Sequence, residues 1–388
     1  MTKILAFNRN RRTISADSEN RPQNEGGTAT RRRSRDRHAP PSVRSADRSD
    51  ARNTTQTPVE LAVSIVVPTR GRPQLLSRCI ASLVLQRFDP ARFEIIIVDD
   101  GASIDASSEE TRHVVAGWSA HTAGNGPQIV YIPSMGPHGP AAARNHGWRA
   151  ARAPIIAFTD DDTIARSDWL NNGVRAFDDN VHVVCGRVVM PMNGTPTDYE
   201  LDAKNLETAE FVTANCFCRK RVLEDIGGFD ERFRFAWRED SDLHFRLIDY
   251  RANIRREPRA VMMHPIRPAG WGVSLKQVKK VQFDALLYKK HPRLYRRKIR
   301  QKPRWDFYVT VGALLVCSVA LLAGSGLTAL AAGLVWFVMT ARFCAKRLWK
   351  TSKSPAHIAE MIVTSVLIPP LAVYWRAVGA IRYRAGLL

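Results

Sequence analysis

Pro154-Ile155-Ile156-Ala157-Phe158-Thr159-Asp160-Asp161-Asp162 is the stretch that decides how the chain is read. Its first five residues form an apolar run of strand length, and three carboxylates follow almost at once. Three such charges do not stay unpaired in a core, because desolvation penalises each of them heavily. The triplet therefore marks where the strand leaves the core, at the C-terminal rim where open α/β sheets bind ligands. Clustered Asp oxygens are hard ligands suited to Mg²⁺ or Mn²⁺, ions that sit between one or two carboxylates and substrate phosphates. For an isolated Asp-Asp-Asp the plain alternative is a solvated acidic turn.

Upstream, three more apolar runs read as strands: Ser64 to Pro68, Phe93 to Val98 and Gln128 to Ile132. Between them Leu75, Leu76, Cys79, Ile80, Leu83 and Val84 recur at helical spacing, and Glu109 to Trp118 reads as a second helix. Gly139-Pro140-Ala141 opens a third, with Pro140 suited to the first turn. Strand and helix in alternation argue for a mostly parallel sheet covered on both faces. Arg70, Asp99 with Asp100, and Asp160 to Asp162 all fall just past strand ends, so polar chemistry gathers at one rim and the solvated-turn reading weakens.

Downstream, Ser167-Asp168-Trp169-Leu170 has the pattern of a capped helix start, followed by a strand from His182 to Met190 and a polar loop from Pro191 to about Asn205. Phe235-Ala236-Trp237-Arg238-Glu239-Asp240, with Leu243 and Leu247 beyond it, puts two carboxylates at a helix start. Capping and the helix dipole would favour them there on structural grounds alone.

The 388 residues hold 58 Lys+Arg against 37 Asp+Glu, a net charge of +21, so an acidic partner is expected: nucleic acid, a nucleotide-bearing substrate or an anionic membrane. Residues 1–58 are Arg-, Ser- and Pro-rich, carry no apolar h-region, and are expected to be a disordered basic tail. The six cysteines are scattered, without a second pair at zinc spacing, and read as reduced thiols.

Residues 293–306 form a basic juxtamembrane segment, and 307–343 are almost wholly apolar with Gly324-Ser325-Gly326 near the middle. Each half would span about 25 Å as a helix, so a transmembrane hairpin is expected. Its basic flanks place both ends, and with them the soluble domain, on the cytoplasmic side of the inner membrane. In 344–388 a basic loop leads to a third apolar segment, Ile358 to Trp375, interrupted by Pro369-Pro370. An interfacial or re-entrant helix is expected there, with a third span as the alternative.

Val66-Val67-Pro68-Thr69-Arg70-Gly71-Arg72, Ile97-Val98-Asp99-Asp100-Gly101-Ala102-Ser103, Gly139 to Asn145, Asp160-Asp161-Asp162, Gly227-Gly228-Phe229-Asp230-Glu231 and Trp237-Arg238-Glu239-Asp240 occur in the order seen in family 2 glycosyltransferases, which residues 63–265 resemble. The resemblance implies a GT-A fold over 59–292, a nucleotide-diphosphate sugar donor, a divalent metal and inversion at the anomeric carbon. It implies that Thr69, Asp100, Arg144 and Asp160 hold the nucleotide, and that Asp160 and Asp162 bind the metal. His264 is at a place where some such enzymes add a metal or phosphate ligand; a lone His after an apolar pair is also often structural. Asp240 matches the catalytic base, Glu239 beside it is expected to bind the acceptor, and Trp237 either walls the acceptor or fills core. No Gln-x-x-Arg-Trp string follows, only Lys276-Gln277-Val278-Lys279-Lys280, which argues for transfer of a single sugar rather than polymer synthesis. The acceptor expected is a lipid-linked or cell-envelope glycan. The competing readings are a basic membrane-tethered nucleic-acid-binding protein and a nucleotide-binding scaffold without turnover.

Overall fold

Strand β1 (Val63–Thr69) is the spine of the sheet, flanked in parallel by β2 (Phe93–Asp99) and β4 (Ile155–Phe158). The computed structural model that shows this describes residues 60–101 and 107–386; the basic segment 1–58 and the motif residues Ala102 and Ser103 lie outside the described residues. Helix α1 (Pro73–Val84) packs Leu76, Cys79, Ile80 and Leu83 onto one face of the sheet, the spacing of an apolar helical stripe. Helix α2 (Ser108–Thr122) and strand β3 (Gln128–Pro133) complete that side, and α3 (Pro140–Ala150) covers the opposite face with Ala141, Ala143 and Trp148. Because both faces are covered, the central strands are mainly apolar, each buried Ile, Val or Phe contributing about 1.5–3 kcal/mol, and the buried Ser64 and Glu94 are bonded to each other.

Past the acidic triplet come β5 (Ile164–Ala165), α4 (Trp169–Arg175) and β6 (Val183–Val189). Asp168 precedes α4 but makes no side-chain cap; its carboxylate lies 3.7 Å from Arg87 instead. The stretch expected to be a polar loop contains α5 (Asp198–Ala203), started by a capping box between Thr197 and Glu200. Strand β7 (Cys216–Arg219) then inserts antiparallel between β4 and β6, followed by α6 (Lys220–Ile226), α7 (Glu239–Asp249) and β8 (Ile254–Met263). The eight strands run in the order β3-β2-β1-β4-β7-β6-β8-β5. The sheet is therefore mixed but mostly parallel, as expected. All six cysteines are free.

Helices α8 (Val273–Val278), α9 (Gln282–Lys290) and the short α10 (Pro292–Leu294) lead to three long apolar helices: α11 (Trp305–Leu322), α12 (Gly326–Leu348) and α13 (Pro355–Tyr383). All three are long and apolar enough to cross a membrane. The first two pair as a hairpin. The third runs unbroken through Pro369 and Pro370, so the break expected of a re-entrant segment does not occur. It is docked at both ends on the α/β domain and the helices that follow it. Glu360 accepts from the Gly272 N–H at 2.8 Å, and the Lys289 ammonium donates to the Tyr383 carbonyl at 2.9 Å. At Gly379 the approach is so close that a Cβ would stand 2.4 Å from the Gln282 carbonyl oxygen.

Candidate active site

The acidic triplet is held by its own neighbours. Thr159 and Thr163 share a 2.7 Å hydroxyl contact, Thr163 also donates to the Asp160 carbonyl at 2.8 Å, and Thr159 to that of Ala214 at 3.0 Å. In this turn the middle carboxylate, Asp161, points inward, where it accepts from Thr69 Oγ1 at 2.8 Å and Arg72 at 3.1 Å. The outer two are turned the other way. Asp160 and Asp162 meet His264, which follows β8, with donor atoms all within 4.8 Å of one another. His264 Nε2 lies 3.5 Å from Asp162 and 4.0 Å from Asp160, and its Nδ1 is buried without a partner. Arg267 holds the other Asp162 oxygen at 3.0 Å. Two carboxylates and an imidazole are a donor set that fits Mn²⁺ or Mg²⁺.

Arg144, buried on α3, joins the two halves of the site. It donates to Asp160 at 2.7 Å and to Glu239 at 3.4 Å. Burial works against its charge, but Asp160 and Glu239 together hold the guanidinium pKa above the ordinary value. Asp160 is correspondingly lowered: burial opposes ionisation, and Arg144 and then His264 outweigh it. Glu239 and Asp240 open α7, preceded by Arg238 in the left-handed region at φ 73°. Burial, reinforced by the neighbouring Asp240, pushes Glu239 up to about 7, and burial also raises Asp240. Asp240 accepts from the Ser241 N–H at 2.7 Å.

A cavity of about 280 Å³ is lined by Arg144, Asp160, Trp237, Glu239, Asp240 and His264. The structure thus collects six of the expected site residues on one space, with Asp162 behind His264. Trp237 lines this space, while its Nε1 donates to Asp284 at 3.2 Å and its ring carries the Arg238 guanidinium 4.6 Å from the centroid. Thr69 and Asp100 do not line the cavity. Thr69 is buried against Asp161, and both Asp100 oxygens accept from the Gly139 N–H, at 2.9 and 3.0 Å. Gly139 is needed there: its φ is +123°, and a Cβ would meet the Arg234 carbonyl oxygen at 2.7 Å.

Other walls were not anticipated. Tyr199 and Asp202 come from α5, Phe211 and Val212 from the segment after it, and Gln277, Lys280 and Val281 from α8 and the turn that follows. The Thr197-x-x-Glu200 pattern was the available signal for α5. Lys280, half-buried, has its pKa lowered by desolvation, with Glu239 and Asp202 pulling the other way.

The sequence matches Glycosyl transferase family 2 over residues 64–229 and Glycosyl transferase family group 2 over 155–375, more than half of the chain. The chain belongs to glycosyltransferase family 2. Among curated relatives, this glycosyltransferase is 31% identical over 221 residues to a pre-mycofactocin glycosyltransferase of Mycobacterium tuberculosis, covering 53% of the chain and 43% of the relative. It is 26% identical over 225 residues to a validoxylamine A glucosyltransferase of Streptomyces hygroscopicus, covering 48% and 47%. The chain therefore spans less than half the length of these relatives. A mannosyltransferase from Pyrobaculum calidifontis, solved with GDP-Man and Mn²⁺, superposes with a TM-score of 0.50 over 78% of this chain and 86% of its own, at 19% identity, which is a likeness of fold. Membership of this family identifies the protein as an enzyme, a glycosyltransferase.

Proposed function

We propose that this glycosyltransferase moves one sugar, with inversion and metal dependence, from a nucleotide-diphosphate sugar to a hydroxyl of a lipid-linked or cell-envelope glycan acceptor. The observation that carries this reading is the Arg144 bridge. It ties the donor-side carboxylate Asp160 to Glu239, next to Asp240, across one cavity. Asp240 takes the proton of the attacking hydroxyl, the single base that an inverting transfer needs within hydrogen-bond reach. Arg144 stands where negative charge grows on the leaving diphosphate, and a fixed donor in a water-poor cleft stabilises it without reorganising. A Mg²⁺ or Mn²⁺ ion held by Asp160, Asp162 and His264 would supply further neutralisation of that leaving group. Thr69 acts by fixing the acidic turn, and Asp100 by setting the start of α3 beside the nucleotide.

The membrane part supports a lipid-borne acceptor. Helices α11 and α12 are about 27 and 35 Å long, enough to enter a bilayer as a hairpin. We place α13 at the interface: His357, Met361, Thr364, Ile368, Ala372, Arg376 and Gly379 are buried along one side, while Ile362, Leu367, Tyr374 and Ile381 are exposed on the other. On this reading the catalytic domain lies on the cytoplasmic face of the inner membrane.

The test is nucleotide release from a panel of nucleotide sugars by the full chain in nanodiscs with Mn²⁺, then Mg²⁺. Asp240→Asn is expected to lower turnover by roughly 10²–10⁴, and chelator to abolish it. Wild-type turnover in Asp240→Asn, or turnover indifferent to chelator, overturns the assignment.

A further inference from the structure

A second cavity of about 230 Å³ lies beside the first, between α5, the turn at Pro268 to Gly272, and the membrane helices α12 and α13. The two share Tyr199, Asp202, Arg267 and Gln277 as walls. Most charges around it are already matched. Arg347 of α12 donates to Asp198, Ser274, Thr364 and Ser365, Arg267 is paired with Asp162, and Glu360 accepts from the Gly272 N–H. What remains are single hydrogen-bonding atoms. His357, 5% exposed, keeps Nε2 buried without a partner, and Asp202 keeps Oδ1 so.

Each buried polar atom left unpaired costs about 1–3 kcal/mol, so these two call for a hydrogen-bonding occupant. The space is well above the ~30 Å³ share of one water. An ionic occupant would bring a charge that the paired side chains do not answer, whereas hydroxyls both donate and accept. Burial pushes the Asp202 carboxyl up to about 7, so near neutrality it also serves as either donor or acceptor.

We propose that this second cavity is a subsite for a neutral, hydroxyl-rich unit of the acceptor. The acceptor then has at least two linked sugar or polyol units, the nearer presenting its hydroxyl to Asp240 and the farther bonded by Asp202 and His357. The proposal rests on the transferase reading above and names its acceptor class.

Calorimetry on the full chain in nanodiscs tests it, with methyl glycosides of one and two linked hexoses (gluco, manno and galacto series) as probes. At least one disaccharide glycoside is expected to bind ten-fold or more tightly than its monosaccharide. Gly270→Trp and His357→Phe should remove that advantage. Gly270 lines the cavity at its exposed rim, and a Cβ there meets nothing within 4 Å, so a side chain is accommodated at that backbone position. Equal affinity across the panel, or a length preference that survives Gly270→Trp, overturns the proposal and leaves the cavity to water. Acceptor-free release of nucleotide separates the two readings. Release that persists without length preference sinks the subsite alone. Length-dependent binding without any release sinks the transferase reading and leaves the sugar site standing.

Discussion

Glu239 and Asp240 are adjacent carboxylates at the mouth of α7, and burial makes both reluctant to ionise. If Asp240 is the base proposed above, it must be charged for transfer, so kcat/KM should rise with pH along an acid limb lying above the ordinary Asp value of about 3.9. Glu239→Gln should leave that limb in place, because Glu239 keeps its proton up to about 7 and carries no charge while Asp240 ionises. The same raised pKa acts on stability with the opposite slope. A folded state that binds its proton more tightly than the unfolded chain loses stability as pH climbs from 4.5 to about 7, where Glu239 has become charged. In Glu239→Gln, thermal melts across that window should flatten. His264 belongs to the same scale. His264→Ala should raise the Mn²⁺ concentration for half-maximal nucleotide release by roughly ten-fold or more, since even outer partners of metal ligands cost that much. An unchanged Mn²⁺ titration would return His264 to a structural role.

Among the elements, legibility followed burial. Strands β1, β2 and β4 were readable because both faces are covered, which makes each a nearly continuous apolar run. Strand β8 was not, since it carries Arg255, Arg256 and Arg259 with exposed side chains toward one end and a buried Glu257 among them. Strand β7 is four residues long and runs against its neighbours, so alternation of strand and helix gives no hint of its place. The acidic triplet was legible as charge gathered at a strand end, whereas Arg144 and Asp240 stood out only through the family resemblance, because a helix start by itself accounts for a carboxylate. The acceptor-side wall was not, because α5 is short and polar and only tertiary contact turns Tyr199 and Asp202 inward. Its start depends on Thr197, whose hydroxyl accepts from the Glu200 N–H at 3.2 Å while the Glu200 carboxylate accepts from the Thr197 N–H at 2.7 Å. Thr197→Ala should cost about 1 kcal/mol by chemical or thermal unfolding. It should also raise the acceptor KM several-fold while acceptor-free nucleotide release stays near wild type. An equal loss in both readouts would mean that α5 supports the whole site and not one wall of it.

At the scale of the whole molecule, the apolar helices are built into the catalytic domain. Arg376 of α13 is buried 3.8 Å from Asp284, the residue that also receives Arg238 and Trp237 at the start of α7. Part of the basic flank that reads as a topology signal in the sequence is thus spent on packing. The tighter link is Arg347, 1% exposed, which joins α12 to Asp198 of α5 at 2.9 Å. Removing one partner of a buried pair costs about 3–5 kcal/mol because the other is left charged and unanswered. Arg347→Ala should therefore lower the melting temperature sharply and, through α5, weaken acceptor binding more than donor turnover. Asp198→Asn combined with Arg347→Leu removes both charges at once. If the link is electrostatic, the double variant should recover much of the stability lost in Arg347→Ala, because no bare carboxylate remains inside. If the guanidinium instead acts by filling space between Ser274, Thr364 and Ser365, Leu should serve nearly as well alone, and the single Arg347→Leu variant would melt with the double one.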